Sequence, residues 1–439
     1  MNDSNNRGLW GSKIGFIAAA SGSAIGLGNI WRFPYLAGEN GGAAFVLLYL
    51  ICILLIGFPV MLAAISMGRS AQRSIVGAFK TLAPGSKWKY VGILGVITGF
   101  AILSFYSVVA GYTLGYIFKT SFGSFNNIQN AQQTKQIFGE FVSDPYWVFI
   151  CLSLFLFLNG VIVYKGIEDG IERWSKRMMP ILLILLIILV IRSLTLEGAM
   201  AGLNFYMKPD LSKITGSTFM NALGQTLFSL SLGMGTMVTY GSYLSEKDNL
   251  VTSVSYVCVI DTLIAFIAGL VIFPALFAMG LSPDQGPSLV FVVIPSIFSK
   301  IPGGTYFGTG FFILLSIAAL TSTISQLEVV VACFIEEWRW SRKKATVVAV
   351  IVASVFAVPS AFSGGIVRFF TNLPIYGGDF LSFMSTVFGS YSLTIGSFFI
   401  AVFIGWKWGV HLASEEITNG NPHFKIRKLW HILIRYVSP

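Results

Sequence analysis

Residues 21–34 read Ser-Gly-Ser-Ala-Ile-Gly-Leu-Gly-Asn-Ile-Trp-Arg-Phe-Pro, and they interrupt the first apolar segment of the chain. Three glycines fall within seven residues, and Asn29, Arg32 and Pro34 follow them. Glycine destabilises a helix by about 1 kcal/mol relative to alanine, and proline by about 3 kcal/mol. Irregular backbone at membrane depth is tolerated only where protein buries it or where it lines a cavity. A packing face of small residues would explain the glycines alone. Because an amide and a guanidinium accompany them, we interpret the stretch as a discontinuous helix that forms half of a binding site.

The composition is that of an integral membrane protein. The chain of 439 residues is 55% hydrophobic and only 11% charged, whereas a soluble domain carries about 25% charged residues. Its net charge of +10 does not indicate a nucleic-acid partner, because the basic residues lie between apolar segments, as membrane topology requires. The expected partner is the lipid bilayer. The four cysteines lie in apolar segments without disulfide or metal-ligand spacing, which favours a packing role for Cys52, Cys151, Cys258 and Cys333.

Ten segments are apolar and long enough to span a bilayer. With the N-terminus inside, twenty Lys and Arg residues fall on the cytoplasmic side and seven outside. This bias predicts a cytoplasmic N-terminus in a multi-pass membrane protein. The predicted spans cover residues 14–37, 42–68, 91–118, 146–164, 176–196, 219–243, 250–281, 305–335, 345–363 and 379–406.

The C-terminal residues 407–439 form a cytoplasmic segment and the start of a further helix. A last apolar run begins at Leu429 and stops at Pro439, too short to span a bilayer. Either the chain is cut inside an eleventh helix or the tail lies at the membrane interface. The abrupt end favours the first alternative.

A second interrupted helix corresponds to the first. Residues 224–236 read Gly-Gln-Thr-Leu-Phe-Ser-Leu-Ser-Leu-Gly-Met-Gly-Thr in the middle of the sixth segment. One interrupted helix therefore opens each set of five spans, which divides the chain into repeats at 14–196 and 219–406. Paired, glycine-interrupted segments at corresponding positions indicate an inverted-repeat secondary transporter; the alternative is two unrelated packing helices. The predicted fold is an all-α polytopic membrane protein, one transporter domain of five plus five helices with discontinuous helices one and six.

At these residues the sequence resembles the sodium-coupled neurotransmitter and amino-acid symporters. The motifs that carry the resemblance are residues 26–34 with Glu39-Asn40-Gly41-Gly42, the sixth-segment run, and Ala319-Leu320-Thr321-Ser322. The resemblance extends over nearly the whole chain. It implies sodium-coupled transport with two sodium ions and no organic cofactor.

The resemblance implies two sodium sites built from oxygen ligands, which suit a hard cation. Unwound backbone supplies carbonyl groups that a continuous helix keeps for itself. The alternative for Thr321 and Ser322 is hydrogen bonding to a preceding carbonyl within their own helix. The first implied site consists of Ala24, Asn29, Ser229 and Asp261, and the second of Gly22, Ile25, Ala318, Thr321 and Ser322.

The resemblance also implies a substrate site between the two interrupted helices. Gly26 stands where the family's monoamine transporters have an aspartate, and this argues for amino acids over amines. Met234 is unbranched and adaptable, so we expect a roomy pocket for bulky apolar side chains. The implied substrate-binding residues are Ala24, Gly26, Leu27, Gly28, Ile102, Tyr106, Phe228, Ser229, Ser231, Met234, Thr323 and Gln326.

Asp261 departs from the family pattern, which has asparagine at this position. A carboxylate in an apolar span is a functional candidate because an uncompensated charge there costs several kcal/mol; the alternative is an acid that caps a helix end. Tyr49, Gln225 and Ser229 are suited to surround an anion, and Ala265 stands where one relative has a glutamate. Our hypothesis is that Asp261 supplies the negative charge, that transport is chloride-independent, and that Asp261 exchanges a proton during the return step.

Two gates are implied by the same resemblance. Outside, Arg32 is expected to pair with Asp379, directly or through water, above an aromatic lid of Tyr106 and Phe228. Inside, Arg7 is expected to pair with Glu336, with Trp10 and Tyr243 nearby. Exposed ion pairs are worth only about 0–1 kcal/mol, which suits a latch that breaks in each cycle. The alternative for Arg7 and Glu336 is ordinary loop charge.

Together with the residues discussed above, the resemblance implies a sodium-driven symporter of neutral, mainly hydrophobic L-amino acids in a bacterial-type plasma membrane. The sequence does not predict an enzyme, because His411, His423 and His431 all lie at or beyond the end of the tenth span and no nucleophile–base set is present. One alternative is a proton-coupled or sodium-independent exchanger on the same fold. A channel or membrane receptor is the other, and it would need a continuous polar pore or a sensing domain.

Overall fold

The described part of the chain is a bundle of helices. The computed structural model describes residues 9–126, 128, 131–283, 289–300, 302–374, 376–419 and 424–439, and within these ranges it contains no strand. We number the spans 1 to 10 in chain order. Eight are long apolar helices: span 2 (Ala43–Ala71), span 3 (Lys89–Ser121), span 4 (Pro145–Tyr164), span 5 (Ile167–Leu194), span 7 (Leu250–Ala278), span 8 (Gly304–Trp338), span 9 (Arg342–Phe362) and span 10 (Phe380–Asn419).

Span 1 is broken where the sequence predicts it. It consists of Lys13–Ala24 and Gly28–Glu39, which meet at an angle of 44°. Ile25 ends the first half in an extended conformation, and its amide donates to the Ser21 carbonyl at 2.7 Å. The break releases backbone groups between Ala24 and Gly28 in the interior of the bundle, since every residue from Ala19 to Pro34 is buried.

Span 6 is broken as well, into Gly216–Ser229 and Thr236–Gly241. Three residues of the connection have positive φ: Ser231 at 52°, Gly233 at 80° and Gly235 at 84°. Glycine adopts this region freely, whereas a residue with a Cβ does so at a cost. Gly233 is also fixed by packing, because a Cβ there would lie 2.2 Å from the Leu393 carbonyl oxygen of span 10.

The long central helices hold the broken ones in place. Span 3 packs against span 8 in the most extensive contact between described helices, and the first half of span 1 packs on spans 5, 7 and 8. Shorter helices lie between the spans; they are Ile75–Leu82, Ala131–Ser143, Ala199–Met207 and Leu289–Phe298.

The tail forms a helix, Arg427–Ile432, that continues as a π-helix over Leu433–Val437. It docks on span 2, where the Trp430 indole N–H donates to the Pro59 carbonyl at 3.1 Å. Arg435 donates to the Gly405 carbonyl of span 10 at 3.0 Å.

Candidate functional site

A buried carboxylate joins four spans beside the break in span 1. Asp261 of span 7 accepts hydrogen bonds from the Asn29 amide at 2.8 Å, from the Ser229 hydroxyl at 2.8 and 2.9 Å, and from the Tyr49 hydroxyl at 3.1 Å. All four side chains are at most 1% exposed. The Asn29 amide oxygen also accepts from the Gly26 amide at 3.2 Å. Three of the four residues implied for the first sodium site therefore meet in one oxygen-rich cluster, and the fourth, Ala24, ends the helix half beside it.

The implied second sodium site lies on the other side of the same break. The Thr321 hydroxyl is 3.0 Å from the Ala318 carbonyl oxygen and 3.4 Å from the Ile25 carbonyl oxygen. A Cβ on Gly22 would lie 3.2 Å from the Thr321 Cβ, so these four residues are adjacent. The hydroxyl of Ser322, the fifth residue implied for this site, donates to the Ser23 carbonyl at 2.9 Å. Its role as a sodium ligand stays a prediction.

A small cavity separates the two broken helices. Its volume is about 10 Å³, which is close to the space of one water molecule. The roomy pocket expected from Met234 is thus not open in this conformation, since the rings of Tyr106 and Phe228 lie 6.4 Å apart and both side chains line the cavity. Ile102 and Thr323 are buried but do not line it. The lining residues are Ser23, Ala24, Gly28, Tyr106, Phe228, Ser231, Met234, Ser322 and Gln326.

Two of the implied substrate-binding residues, Leu27 and Tyr106, contact each other. The Leu27 amide donates to the Tyr106 hydroxyl at 2.6 Å. Across the cavity the Ser231 hydroxyl donates to the Ser23 carbonyl at 3.0 Å, so the unwound segments of spans 1 and 6 are joined directly. Gly26 leaves no room for a side chain here, because a Cβ would lie 2.2 Å from the Ser322 hydroxyl oxygen and 2.6 Å from that of Tyr106.

The direct outer ion pair is absent from the described residues. Arg32 lies over the Phe228 ring at 4.7 Å and donates to the Ser390 hydroxyl at 3.0 Å and to the Gln225 amide oxygen at 3.4 Å. Asp379 instead caps span 10, where its carboxylate accepts from the amide and hydroxyl three residues later, both at 2.8 Å. Both charged groups have other partners, which is the physical reason that the predicted direct contact is not formed. Their pairing through water stays a prediction.

At the opposite end, Trp10 and Tyr243 lie together. The Trp10 amide donates to the Tyr243 carbonyl at 3.2 Å, and its indole N–H donates to the Tyr240 carbonyl at 3.0 Å. Glu336 accepts from the Ser74 amide at 2.8 and 2.9 Å and from the Ser74 hydroxyl at 2.7 Å. Its expected partner Arg7 lies outside the described residues.

Sequence reasoning missed a buried ion pair beside this end. Glu328 on span 8 is fully buried, and its carboxylate accepts from the Tyr243 hydroxyl at 2.6 Å and from Arg342 at 3.2 Å, with a second, shorter contact to the same guanidinium. Arg342 begins span 9 and also donates to the Val163 carbonyl at 3.0 Å. Through these contacts the pair links spans 4, 8 and 9 to the segment that follows span 6. Among four basic residues at positions 339–344, no sequence signal singled out this arginine.

A second missed residue is Glu172 at the start of span 5, which is 3% exposed. It accepts from the Gly11 amide at 2.7 Å and from the Ser12 hydroxyl at 2.9 Å, and it also pairs with Lys176. Three acids, Glu168, Asp169 and Glu172, stand at this span start, and no sequence signal singled out the buried one. Its carboxylate holds the N-terminal end of span 1 against span 5.

The Glu328–Arg342 pair yields a stability prediction. Replacing Arg342 by alanine leaves a buried carboxylate with only its tyrosine donor, and breaking a buried pair in this way costs about 3–5 kcal/mol. We expect Arg342→Ala to lower the thermal unfolding midpoint in detergent by several degrees, as measured by tryptophan fluorescence. Adding Glu328→Gln removes the unpaired charge and should restore most of the loss.

The matched control is Arg173→Ala, which removes an exposed i,i+4 pair with Asp169 and is expected to leave the midpoint within about 1 degree, since such pairs contribute little. If the unfolding midpoint fell equally in Arg342→Ala and in the double variant, the unpaired buried charge would not be the cause of the lost stability.

An all-helical membrane bundle whose two interrupted helices surround buried oxygen ligands defines a secondary transporter. Comparison with known proteins agrees. The model of the sodium:neurotransmitter symporter family matches residues 7–145 and 132–439. The chain belongs to this family, and it is accordingly a sodium-coupled, multi-pass membrane transporter and not an enzyme.

Similar proteins cover the chain from end to end. An uncharacterized sodium-dependent transporter of Bacillus subtilis, YhdH, is 38% identical over 431 residues, which span 98% of this chain and 95% of the relative. One from Haemophilus influenzae is 36% identical over 448 residues, 100% of this chain and 97% of the relative. The crystal structure of MhsT in complex with L-phenylalanine matches with a TM-score of 0.92 and 44% identity, covering 99% of this chain and 98% of that one.

These matches confirm the family and the fold class that the motifs predict. They also confirm a likeness to the bacterial multi-hydrophobic amino acid transporter, which the combined motifs of spans 1, 6 and 8 indicate. The repeat boundaries and the roles of individual site residues stay predictions.

Proposed function

We propose that this protein carries neutral, mainly hydrophobic L-amino acids into the cell by sodium-coupled symport. It works by alternating access around the cavity between spans 1 and 6, and it cotransports two sodium ions. The protein lies in the plasma membrane with its N-terminus in the cytoplasm. The phenylalanine bound in the MhsT crystal structure supports the substrate class.

The observation that carries the proposal is the buried cluster around Asp261. The Asp261 carboxylate accepts hydrogen bonds from the Ser229 hydroxyl and from the Asn29 amide nitrogen, and carboxylate, hydroxyl and amide oxygens are the kind of ligand that suits sodium. Within the described residues no group of three or more His, Cys, Asp or Glu side chains is placed to hold a transition metal. The cluster therefore fits the hard monovalent cation that the family transports.

The same contacts support chloride independence. The three side chains suited to surround an anion are already committed as donors. Tyr49 and Ser229 donate to the Asp261 carboxylate, and the Gln225 amide donates to the Gly28 carbonyl at 2.7 Å. Asp261 supplies the negative charge that a chloride ion would bring, and it is the group that exchanges a proton during the return of the empty carrier.

Closure of the site on each side involves side chains that bridge the moving elements. On the outer side Arg32 connects span 1 to spans 6 and 10. On the inner side Trp10 joins span 1 to the end of span 6, while Glu172 joins it to span 5. Each of these contacts joins two spans. Opening the outer side therefore breaks the contacts of Arg32 and keeps those of Trp10 and Glu172, and opening the inner side does the reverse.

The test is uptake of labelled L-leucine and L-phenylalanine into proteoliposomes in which sodium, proton and chloride gradients are varied separately. We expect uptake to require an inward sodium gradient and to be unchanged when gluconate replaces chloride. Uptake indifferent to sodium would favour the exchanger instead. Loss of uptake in gluconate would overturn chloride independence, and transport confined to glycine or alanine would overturn the substrate class.

A further inference from the structure

The lining of the central cavity contains one polar side chain without a complete set of partners. Gln326 of span 8 is 3% exposed, and its amide oxygen has no hydrogen-bond partner among the described residues. A glutamine amide offers one acceptor oxygen and two donor hydrogens. Buried polar groups in proteins almost always have hydrogen-bond partners. A buried amide oxygen without a partner, in the lining of a binding cavity, therefore points to a ligand atom as its partner.

The neighbouring polar groups do not share this property. Of the five polar side chains that line the cavity, the other four are hydrogen-bonded within the protein. Ser322 and Ser231 both donate to the Ser23 carbonyl, Ser23 bonds the Ser325 hydroxyl at 2.7 Å, and Tyr106 accepts from Leu27. The unmatched amide is therefore specific to Gln326 and is not a general feature of this interface.

Gln326 lies in span 8 at the height that the end of a substrate side chain would reach. It follows Ser322 by four residues on the same face of span 8, about 6 Å along the helix axis. Ser322 lies against Gly26, at the break in span 1 beside the cavity around which the proposed function places the substrate. Met234, the flexible residue of the span 6 break, lines the same cavity.

We propose that Gln326 selects large amino acids whose flat side chain carries a hydrogen-bonding atom, the phenol of tyrosine or the indole N–H of tryptophan, over phenylalanine and leucine. This inference rests on the proposed function. A purely hydrocarbon ring buries the amide without a partner, whereas a phenol or an indole N–H satisfies it. Sites built to hydrogen-bond a substrate group discriminate strongly against analogues that lack it.

The test is competition against sodium-driven uptake of labelled L-phenylalanine in proteoliposomes. Unlabelled L-tyrosine and L-tryptophan are expected to compete about tenfold better than unlabelled L-phenylalanine, a difference of about 1.4 kcal/mol. In Gln326→Met, which keeps an unbranched side chain without the amide, the ratio is expected to fall to about one. Gln136→Met, the same change at an exposed site on the helix Ala131–Ser143, should leave the ratio unchanged.

A comparison within the wild-type protein keeps the inference testable if Gln326→Met does not fold. L-4-fluorophenylalanine resembles tyrosine in shape but has no donor, so it should compete like phenylalanine. Equal competition by tyrosine and its fluoro analogue, or a tyrosine preference that survives in Gln326→Met, would overturn the role of Gln326. Absence of sodium-driven uptake of every amino acid tested would overturn the proposed function instead.

Discussion

Asp261→Asn is expected to reduce amino-acid uptake in gluconate medium about 100-fold and to make the remaining transport respond to chloride. The carboxylate accepts from Asn29, Ser229 and Tyr49, all within 3.1 Å. Hydrogen bonds to charged groups are worth about 1.5–3 kcal/mol, and neutral ones about 1 kcal/mol. If the substitution weakens two of these three hydrogen bonds by about 1.4 kcal/mol each, uptake falls by two factors of ten.

The response to chloride distinguishes this explanation from simple damage to the site. Asparagine leaves the hydroxyls of Tyr49 and Ser229 without an anion to donate to. We therefore expect uptake by the variant to be at least tenfold higher in chloride than in gluconate, measured in proteoliposomes at equal ionic strength. Asp210→Asn, the same change in an exposed loop, should leave uptake and its indifference to chloride intact. A variant Asp261→Asn that transports at the wild-type rate in gluconate would rule out the assigned role.

Gly26→Ala is expected to lower uptake at least 100-fold while the protein still folds. The added methyl group would lie 2.2 Å from the Ser322 hydroxyl oxygen and 2.6 Å from the Tyr106 hydroxyl oxygen. Overpacking of this kind typically costs about 1–3 kcal/mol of stability, which is tolerable. The loss of transport should be larger because both displaced hydroxyls line the cavity and Gly26 is bonded to Asn29.

Two measurements separate the effects on transport and stability. Thermal unfolding in detergent should shift by only a few degrees, whereas sodium-driven uptake should be nearly abolished. Gly139→Ala, in an exposed helix where a Cβ meets no atom within 4 Å, is the matched control and should change neither. Near-normal uptake by Gly26→Ala would mean that Ser322 and Tyr106 can move aside without loss of function.

The sequence predicted both helix breaks because glycine acts locally on the backbone. The interruption between Ala24 and Gly28 and that between Ser229 and Thr236 lie inside the two glycine-rich runs. The grouping of Asn29 with Ser229 and Asp261 has a different origin. These residues are more than 30 positions apart, and no periodicity relates them, so only the resemblance to a family placed them together.

Contacts at the ends of the spans were not predictable in the same way. The partners of Glu328 and Glu172 depend on the rotation and register of neighbouring helices, and a one-residue change in either would exchange them for others. The direct pair between Arg32 and Asp379 fails for a related reason. Each group has nearer partners in this conformation, and a sequence does not specify which state of a moving gate is populated.

The hydrogen bond between the Gly26 amide and the Asn29 side chain makes the break in span 1 a point of thermodynamic linkage. Asn29 belongs to the proposed ion cluster, and the backbone that follows Gly26 faces the proposed substrate. If sodium tightens substrate binding tenfold through this connection, linkage requires that the substrate tighten sodium binding by the same factor. That coupling, about 1.4 kcal/mol per factor of ten, is measurable at equilibrium from either ligand without observing a single transport cycle.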